Sequence, residues 1–212
     1  MTDSYKVSEL YVTIQGEGSM TGTPMFFLRL QGCDVGCPWC DTKHTWDATG
    51  GRLCGAAELA AEVETLRNRE AESTRWVCVT GGEPAQQNLK ALVDALHDRS
   101  YSVALETSGT ALGFVDAGFD WVCVSPKENM PGGLKLRPEA LVRADELKFV
   151  VGRKEHVDDM LRILRTYPQK ENAEIFLQPL SQSEKATAVA VEACKRYGFN
   201  LSVQTHKVVG LP

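Results

Sequence analysis

The chain has little positive charge to spare. Its 23 lysines and arginines face 28 aspartates and glutamates, for a formal net charge of -5, and no block of basic residues stands out. That excludes the basic face demanded by a nucleic acid or an anionic membrane, and leaves a small molecule as the expected substrate. Nowhere do eighteen apolar residues run together, and Met1-Thr2-Asp3-Ser4-Tyr5 carries no basic segment before an apolar run. Neither a membrane span nor a signal peptide is expected, so the protein is read as cytoplasmic. Repeats, low-complexity stretches and linkers are also missing. With 212 residues and 43% hydrophobic content, one well-buried core is expected, hence a single domain over residues 1–212.

Cysteine is present in an odd number, seven. Cys54, Cys78, Cys123 and Cys194 are scattered, which fits a reducing compartment. Cys78 and Cys123 lie inside apolar strand patterns and read as small core residues. The other three fall in Gly32-Cys33-Asp34-Val35-Gly36-Cys37-Pro38-Trp39-Cys40-Asp41. This C-x3-C-x2-C run supplies three of the four thiolates that a cubane iron–sulfur cluster uses. One iron is then left without a protein ligand, and an open coordination position is where cofactor or substrate chemistry takes place. Spacing alone leaves a second reading open, a zinc knuckle of Cys33, Cys37, Cys40 and His44.

Short apolar runs alternate with helical patterns, which predicts an α/β fold. Expected strands are 25–30, 76–79, 102–105, 121–124, 146–151, 174–177 and 201–203, several of them continuous apolar runs typical of parallel strands covered on both faces. Helical stripes appear at Leu89, Leu92, Val93 and Leu96, at Val157, Met160, Leu161 and Leu164, and at Ala186, Val189, Ala190 and Ala193, with a further helix over 56–69. The unusual residues fall at strand carboxyl ends. In a parallel barrel those ends gather on one face, where such enzymes place their active sites. The chain is shorter than the roughly 250 residues typical of eight β/α units, so a partial, open parallel β/α barrel of about six units is expected.

Taken one at a time, these residues have plain readings. Gly81-Gly82 before Glu83-Pro84 makes either a tight turn or a place where backbone approaches a ligand. Period two sets Arg29 on one face with Met25 and Phe27, where it meets either a structural partner such as Glu106 or a substrate carboxylate. Gln15-Gly16-Glu17-Gly18 reads as a loop, Lys127 as a solvated lysine, and His206 as an acid/base group, a core residue or an exposed side chain.

Together they are specific. The cluster run followed by Gly81-Gly82-Glu83-Pro84 resembles the radical S-adenosylmethionine superfamily. Ile14-Gln15-Gly16-Glu17-Gly18, Cys40-Asp41-Thr42-Lys43-His44, Glu106-Thr107-Ser108-Gly109, Ser125-Pro126-Lys127, Leu177-Gln178-Pro179 and Gln204-Thr205-His206-Lys207 narrow the resemblance to the 7-carboxy-7-deazaguanine synthase family, end to end. The resemblance implies ring contraction of 6-carboxy-5,6,7,8-tetrahydropterin with loss of ammonia, on the route to queuosine. A reduced 4Fe-4S cluster would cleave S-adenosylmethionine to start hydrogen abstraction from the pterin, and S-adenosylmethionine would be regenerated.

Carried onto this chain, Cys33, Cys37 and Cys40 ligate the cluster. Trp39, Cys40, Asp41, Gly82, Glu83, Ser125, Pro126, Lys127, Gln178, Pro179, Leu180 and Ser181 match cofactor-binding positions. Ile14, Gln15, Gly16, Arg29, Thr80 and Pro212 match substrate-binding positions, and Thr42 matches a Mg2+ ligand, although Mg2+ chemistry alone points to Asp41. Glu106 and His206 are candidates for proton handling. Partners implied are a reducing electron donor such as flavodoxin or ferredoxin, and a second copy in a homodimer. Ser108 and Val208-Val209-Gly210-Leu211 depart from the family pattern. Two other readings are a glycyl-radical-enzyme activating enzyme with a protein substrate, and a non-catalytic zinc module.

Overall fold

A computed structural model describes residues 4–211. Its centre is one nine-stranded sheet: β1 (Ser4–Ile14), β2 (Pro24–Leu30), β3 (Arg52–Gly55), β4 (Trp76–Gly81), β5 (Ser102–Thr107), β6 (Trp121–Val124), β7 (Glu146–Val151), β8 (Glu174–Pro179) and β9 (Asn200–Leu201). The spatial order is β3-β1-β2-β4-β5-β6-β7-β8-β9. From β2 onward to β9 each neighbouring pair is parallel, while β1 runs antiparallel to both β2 and β3.

Parallel strands need crossovers, and helices supply most of them. They are α1 (Ala56–Glu70), α2 (Lys90–His97), α3 (Pro138–Arg143), α4 (Lys154–Thr166), α5 (Glu184–Tyr197) and a terminal α6 (Thr205–Val209). Local chemistry sets their ends. Pro138 opens α3, where its missing N–H costs nothing. Ser183 caps α5 by accepting from the Ala186 amide at 3.2 Å, and Gly198 stops that helix at φ 74°.

The sheet has two unlike faces. Phe26 and Leu28 of β2, Val77 and Val79 of β4, Val103 and Leu105 of β5, and Leu147 and Val151 of β7 are wholly buried against the helices in one continuous apolar cluster. Each such side chain contributes on the order of 1.5–3 kcal/mol relative to exposure. Period two turns the alternate residues, Arg29, Thr80, Glu106, Ser125, Lys148 and Gln178, to the other face, where they surround one cavity. Cys78 and Cys123 are buried as expected of small core residues, at 1% and 3% exposure, and stand outside the helix-facing cluster.

All seven expected strands are present, with β9 at 200–201 rather than 201–203. Four elements were not expected: β1, β3, α3 and α6. β1 hides because a bulge between Val7 and Glu9 shifts its register and breaks the period-two alternation.

Candidate functional site

The carboxyl ends of β2 and β4–β8 open on a cavity of about 570 Å³. Cys33, Cys37 and Cys40 line it on the loop after β2, and all three thiols are free. That loop is fixed at its root, where Gly32 and Cys33 donate backbone bonds to Thr45 and Trp46 at 2.7 and 3.2 Å. Tetrahedral zinc gathers its thiolates within about 4 Å of one another. Among the described residues, the trio with ligand atoms inside 4.8 Å of one another is Cys54, Glu58 and Glu62, not the cavity cysteines with His44. His44 turns away, its Nε2 3.8 Å from Glu9 Oε1 and its side chain 58% exposed. The zinc set of Cys33, Cys37, Cys40 and His44 is not drawn together here, and the three cavity thiols without His44 are the donors that an iron–sulfur cluster would use. The Cys54 trio is already used, Glu62 by Arg52 and Glu58 by the Gly55 amide.

The turn after β4 lies directly on this loop. Gly81 has φ +130°, and a Cβ on Gly82 would fall 2.2 Å from the Gly32 carbonyl oxygen and 3.0 Å from Cys33 Cβ. Only glycine allows that approach. The amides of Gly82 and Glu83 are used on Leu30 and Gly32 carbonyls at 3.0 and 2.9 Å. The Gly82 carbonyl has no partner among the described residues, and Gly82 lines the cavity.

Glu83, expected with Gly82 as a cofactor contact, lines the cavity, and its side chain is also engaged within the protein. It is 2% exposed, and its carboxylate accepts from the Ala85 amide (3.0 Å), the Thr107 hydroxyl (2.6 Å), the Ser108 amide (2.7 Å) and the Ser108 hydroxyl. Its chemistry is spent on tying the turn after β4 to the turn after β5. The departure at Ser108 has a structural account here: its hydroxyl serves Glu83 and Thr110.

On the β2 side, Arg29 and Thr80 are register partners on adjacent strands and both line the cavity. Arg29 Nε donates to Glu9 Oε1 at 2.5 Å and Nη2 to the Tyr11 hydroxyl at 2.7 Å. The expected structural partner Glu106 is thus corrected to Glu9 and Tyr11, both from the unexpected strand β1. Nη1 keeps no partner among the described residues and remains a donor for an anion.

Opposite, Ser125, Lys127, Gln178, Pro179, Leu180 and Ser181 form a second wall. Lys127 Nζ donates to the Ser125 carbonyl and hydroxyl at 2.8 and 2.6 Å, so it is not the solvated lysine of the plain reading; burial pushes its ammonium down, opposed by Cys37. Gln178 accepts from Ser202 at 2.9 Å and its amide nitrogen is unpartnered among the described residues. Pro126 is not on the cavity wall. Ser181 holds φ 52°, a left-handed backbone unusual for serine.

Trp39, Asp41 and Thr42 complete the rim, with the Thr42 hydroxyl 3.5 Å from Cys40 Sγ and Asp41 paired to Lys207 at 3.1 Å. Ile14, Gln15, Gly16 and His206 also reach the cavity; burial lowers the His206 pKa, against the pull of Glu17. Pro212 lies outside the described residues.

Sequence reasoning missed the cavity floor. Lys148, 4% exposed, sits between Glu17 at 2.8 Å and Glu106 at 2.9 Å. The signal was available: Glu146 and Lys148 alternate within an otherwise apolar strand, which puts two charges on one face.

Three thiols at a cavity wall, with a glycine turn pressed against their loop, are the donor set that an iron–sulfur cluster with one open iron would use. A family model described as a 4Fe-4S single cluster domain matches residues 14–117. The 7-carboxy-7-deazaguanine synthase of Escherichia coli (strain K12) is 38% identical, covering 98% of this chain and 99% of that protein. That of Bradyrhizobium diazoefficiens is 37% identical, covering 98% and 99%. The crystal structure of QueE from Escherichia coli superimposes with a TM-score of 0.82 at 37% identity, covering 95% of this chain and 94% of that one. The chain belongs to the 7-carboxy-7-deazaguanine synthase family. No helix among the described residues is long and apolar enough to cross a membrane.

Proposed function

We propose that this protein converts 6-carboxy-5,6,7,8-tetrahydropterin to 7-carboxy-7-deazaguanine with loss of ammonia, in queuosine biosynthesis. The observation that carries the reading is the convergence on one cavity of the three thiols, the Gly82 turn, Arg29 and the Gln15–Gly16 loop, in a chain similar end to end to its relatives. A cavity of about 570 Å³ suits a small molecule with its cofactor rather than a protein loop, which disfavours a glycyl-radical activator.

Cys33, Cys37 and Cys40 would hold the 4Fe-4S cluster. When bound and reduced, that cluster supplies the electron that cleaves S-adenosylmethionine and so provides the hydrogen-abstracting radical. The chain's own residues bind, orient and exclude. The Gly82 carbonyl accepts from the cofactor's amino group, while Ser125, Lys127, Gln178 and the 179–181 segment position the rest of it, alongside Trp39 and Asp41. Arg29 presents Nη1 to the pterin carboxylate, with Thr80 beside it and the backbone of Ile14, Gln15 and Gly16 against the ring. Pro212 belongs to the same substrate set by resemblance. Glu106 and His206 are the candidates for proton handling in the cavity.

Mg2+ is placed at the Thr42 hydroxyl, where it would keep several waters; Asp41 is engaged by Lys207 and is the weaker choice. The curved sheet is read as an open parallel β/α barrel of about six units, and the whole chain as one domain. A flavodoxin- or ferredoxin-like reductant, a homodimer and a cytoplasmic location complete the reading.

The test is anaerobic turnover of cluster-reconstituted protein with reductant, S-adenosylmethionine, Mg2+ and carboxytetrahydropterin, followed by mass. Formation of 7-carboxy-7-deazaguanine with S-adenosylmethionine conserved supports the proposal. An intact cluster that cleaves S-adenosylmethionine but leaves the pterin unchanged removes the substrate assignment.

A further inference from the structure

The loop between β1 and β2 does not stay on its own side of the sheet. It reaches across the cavity and is held at every residue from 16 to 19, by β7 or by the segment 202–205 that follows β9. The Gly16 carbonyl accepts from the Thr205 amide at 2.9 Å. Glu17 accepts from Gln204 at 2.6 Å and meets Lys148 at 2.8 Å. The Gly18 amide donates to Ser202 at 2.9 Å. The Ser19 amide and hydroxyl both donate to Glu146, at 3.0 and 2.6 Å, and that carboxylate fills the space a Cβ on Gly18 would need, 2.0 Å away.

Lys148 is the one cation in this set, and it has two opposed anchors. Its ammonium meets Glu17 of the crossing loop and, through both oxygens at 2.9 and 3.1 Å, Glu106 of β5. Three N–H groups meet three carboxylate oxygens, so the geometry is saturated. Gln15 in the same loop completes the ring by donating to Glu106 at 3.3 Å. Without Lys148, two partly buried carboxylates would repel across the cavity floor.

We infer that Lys148 is a positioning residue: by pinning Glu17 to Glu106 it fixes the loop that carries Gln15 and Gly16, and so sets the pterin side of the cavity without touching the cofactor side. The inference rests on the proposed function for its substrate, and one of its readouts does not.

Three variants of the cluster-loaded enzyme test it: Lys148→Met, Lys148→Arg and Glu17→Gln. Glu17→Gln takes the charge from the loop anchor and keeps the Lys148–Glu106 pair, so it serves if Lys148→Met fails to fold. The first readout is amide hydrogen exchange of residues 16–19 in the oxidised enzyme without substrate. Exchange is expected to quicken at least tenfold in Lys148→Met and Glu17→Gln, and to stay close to the parent in Lys148→Arg. The second is kinetic. The KM for carboxytetrahydropterin is expected to rise at least tenfold in Glu17→Gln, which keeps the Lys148–Glu106 pair, with kcat within threefold, and the KM for S-adenosylmethionine is expected to hold. Unchanged loop exchange in folded, iron-loaded variants overturns the inference. So does an equal rise in both KM values, which marks a general loss of structure. If the parent itself leaves the pterin untouched, the substrate reading fails and the exchange result still judges the latch.

Discussion

A Cβ placed on Gly16 would lie 2.2 Å from His206 Nδ1 and 2.7 Å from the His206 backbone nitrogen. The loop after β1 and the helix α6 therefore meet backbone to backbone, and the contact cannot be relieved by rotating one side chain. Gly16→Ala is expected to push α6 outward, because overpacking against backbone costs about 1–3 kcal/mol. Pterin kcat/KM should fall at least tenfold while iron content stays at the parent level, a contrast read by steady-state kinetics beside metal analysis.

The cysteines divide into two groups by place. Cys33, Cys37 and Cys40 line the cavity, whereas Cys54, Cys78 and Cys123 are buried elsewhere and Cys194 lies near the end of α5. Alanine at any of the first three is expected to abolish cluster absorbance and S-adenosylmethionine cleavage. Alanine at Cys194 should leave both within twofold, since that thiol stands off the cavity wall and donates to the Asn200 carbonyl at 3.3 Å.

Glu83 is a structural carboxylate in a functional turn. Glu83→Ala strands donors at Ala85, Thr107 and Ser108 in a buried place, and each buried donor left unsatisfied costs about 1–3 kcal/mol. The turn relaxes in part, so the expected loss is about 3 kcal/mol in urea unfolding. Glu83→Gln, which keeps two acceptor lone pairs, is expected to lose less.

The pH dependence of stability separates the two carboxylates on Lys148. For Glu17, burial raises the pKa, but the Lys148 charge and hydrogen bonds outweigh it and bring the group from 4.5 to about 2. Its stabilisation is complete above pH 4.5 and is lost as pH falls from 4.5 toward 2, by at most about 3 kcal/mol. Burial pushes Glu106 the other way, above 4.5, with the Glu17 and Glu146 charges adding to it and Lys148 opposing. Glu106 therefore stabilises below 4.5 and loses that contribution as pH rises through its folded value. Urea unfolding of the cluster-free chain against pH should show a smaller acid slope in Glu17→Gln and a smaller decline above pH 4.5 in Glu106→Gln. Identical slopes in parent and variants would remove the electrostatic account.

Much of this was legible from residues whose pattern is local. The parallel strands announced themselves as apolar runs, and the cysteine spacing, the glycine pair and the chemistry at strand ends pointed to one face, which the cavity confirms. What stayed hidden depends on distance along the chain. Glu9 and Tyr11 hold Arg29 from a strand whose bulge erased its period. Glu17 and Lys148 are separated by more than half the sequence, and nothing in either neighbourhood names the other. Thr107 and Ser108 hold the Glu83 carboxylate from the next turn, a pairing that nothing around Glu83 in the sequence announces.

The crossing loop also orders events during synthesis. Residues 16 to 19 emerge early, yet their partners at 146, 148, 202, 204 and 205 emerge late, so a growing chain still on the ribosome can form the β1–β2 hairpin but not the floor of its own cavity. Until the final strand arrives, Glu17 faces water. The cysteine loop has a late partner of its own, since the Gly132 amide donates to the Val35 carbonyl at 3.1 Å, so neither wall of the cavity is complete until most of the chain has been made.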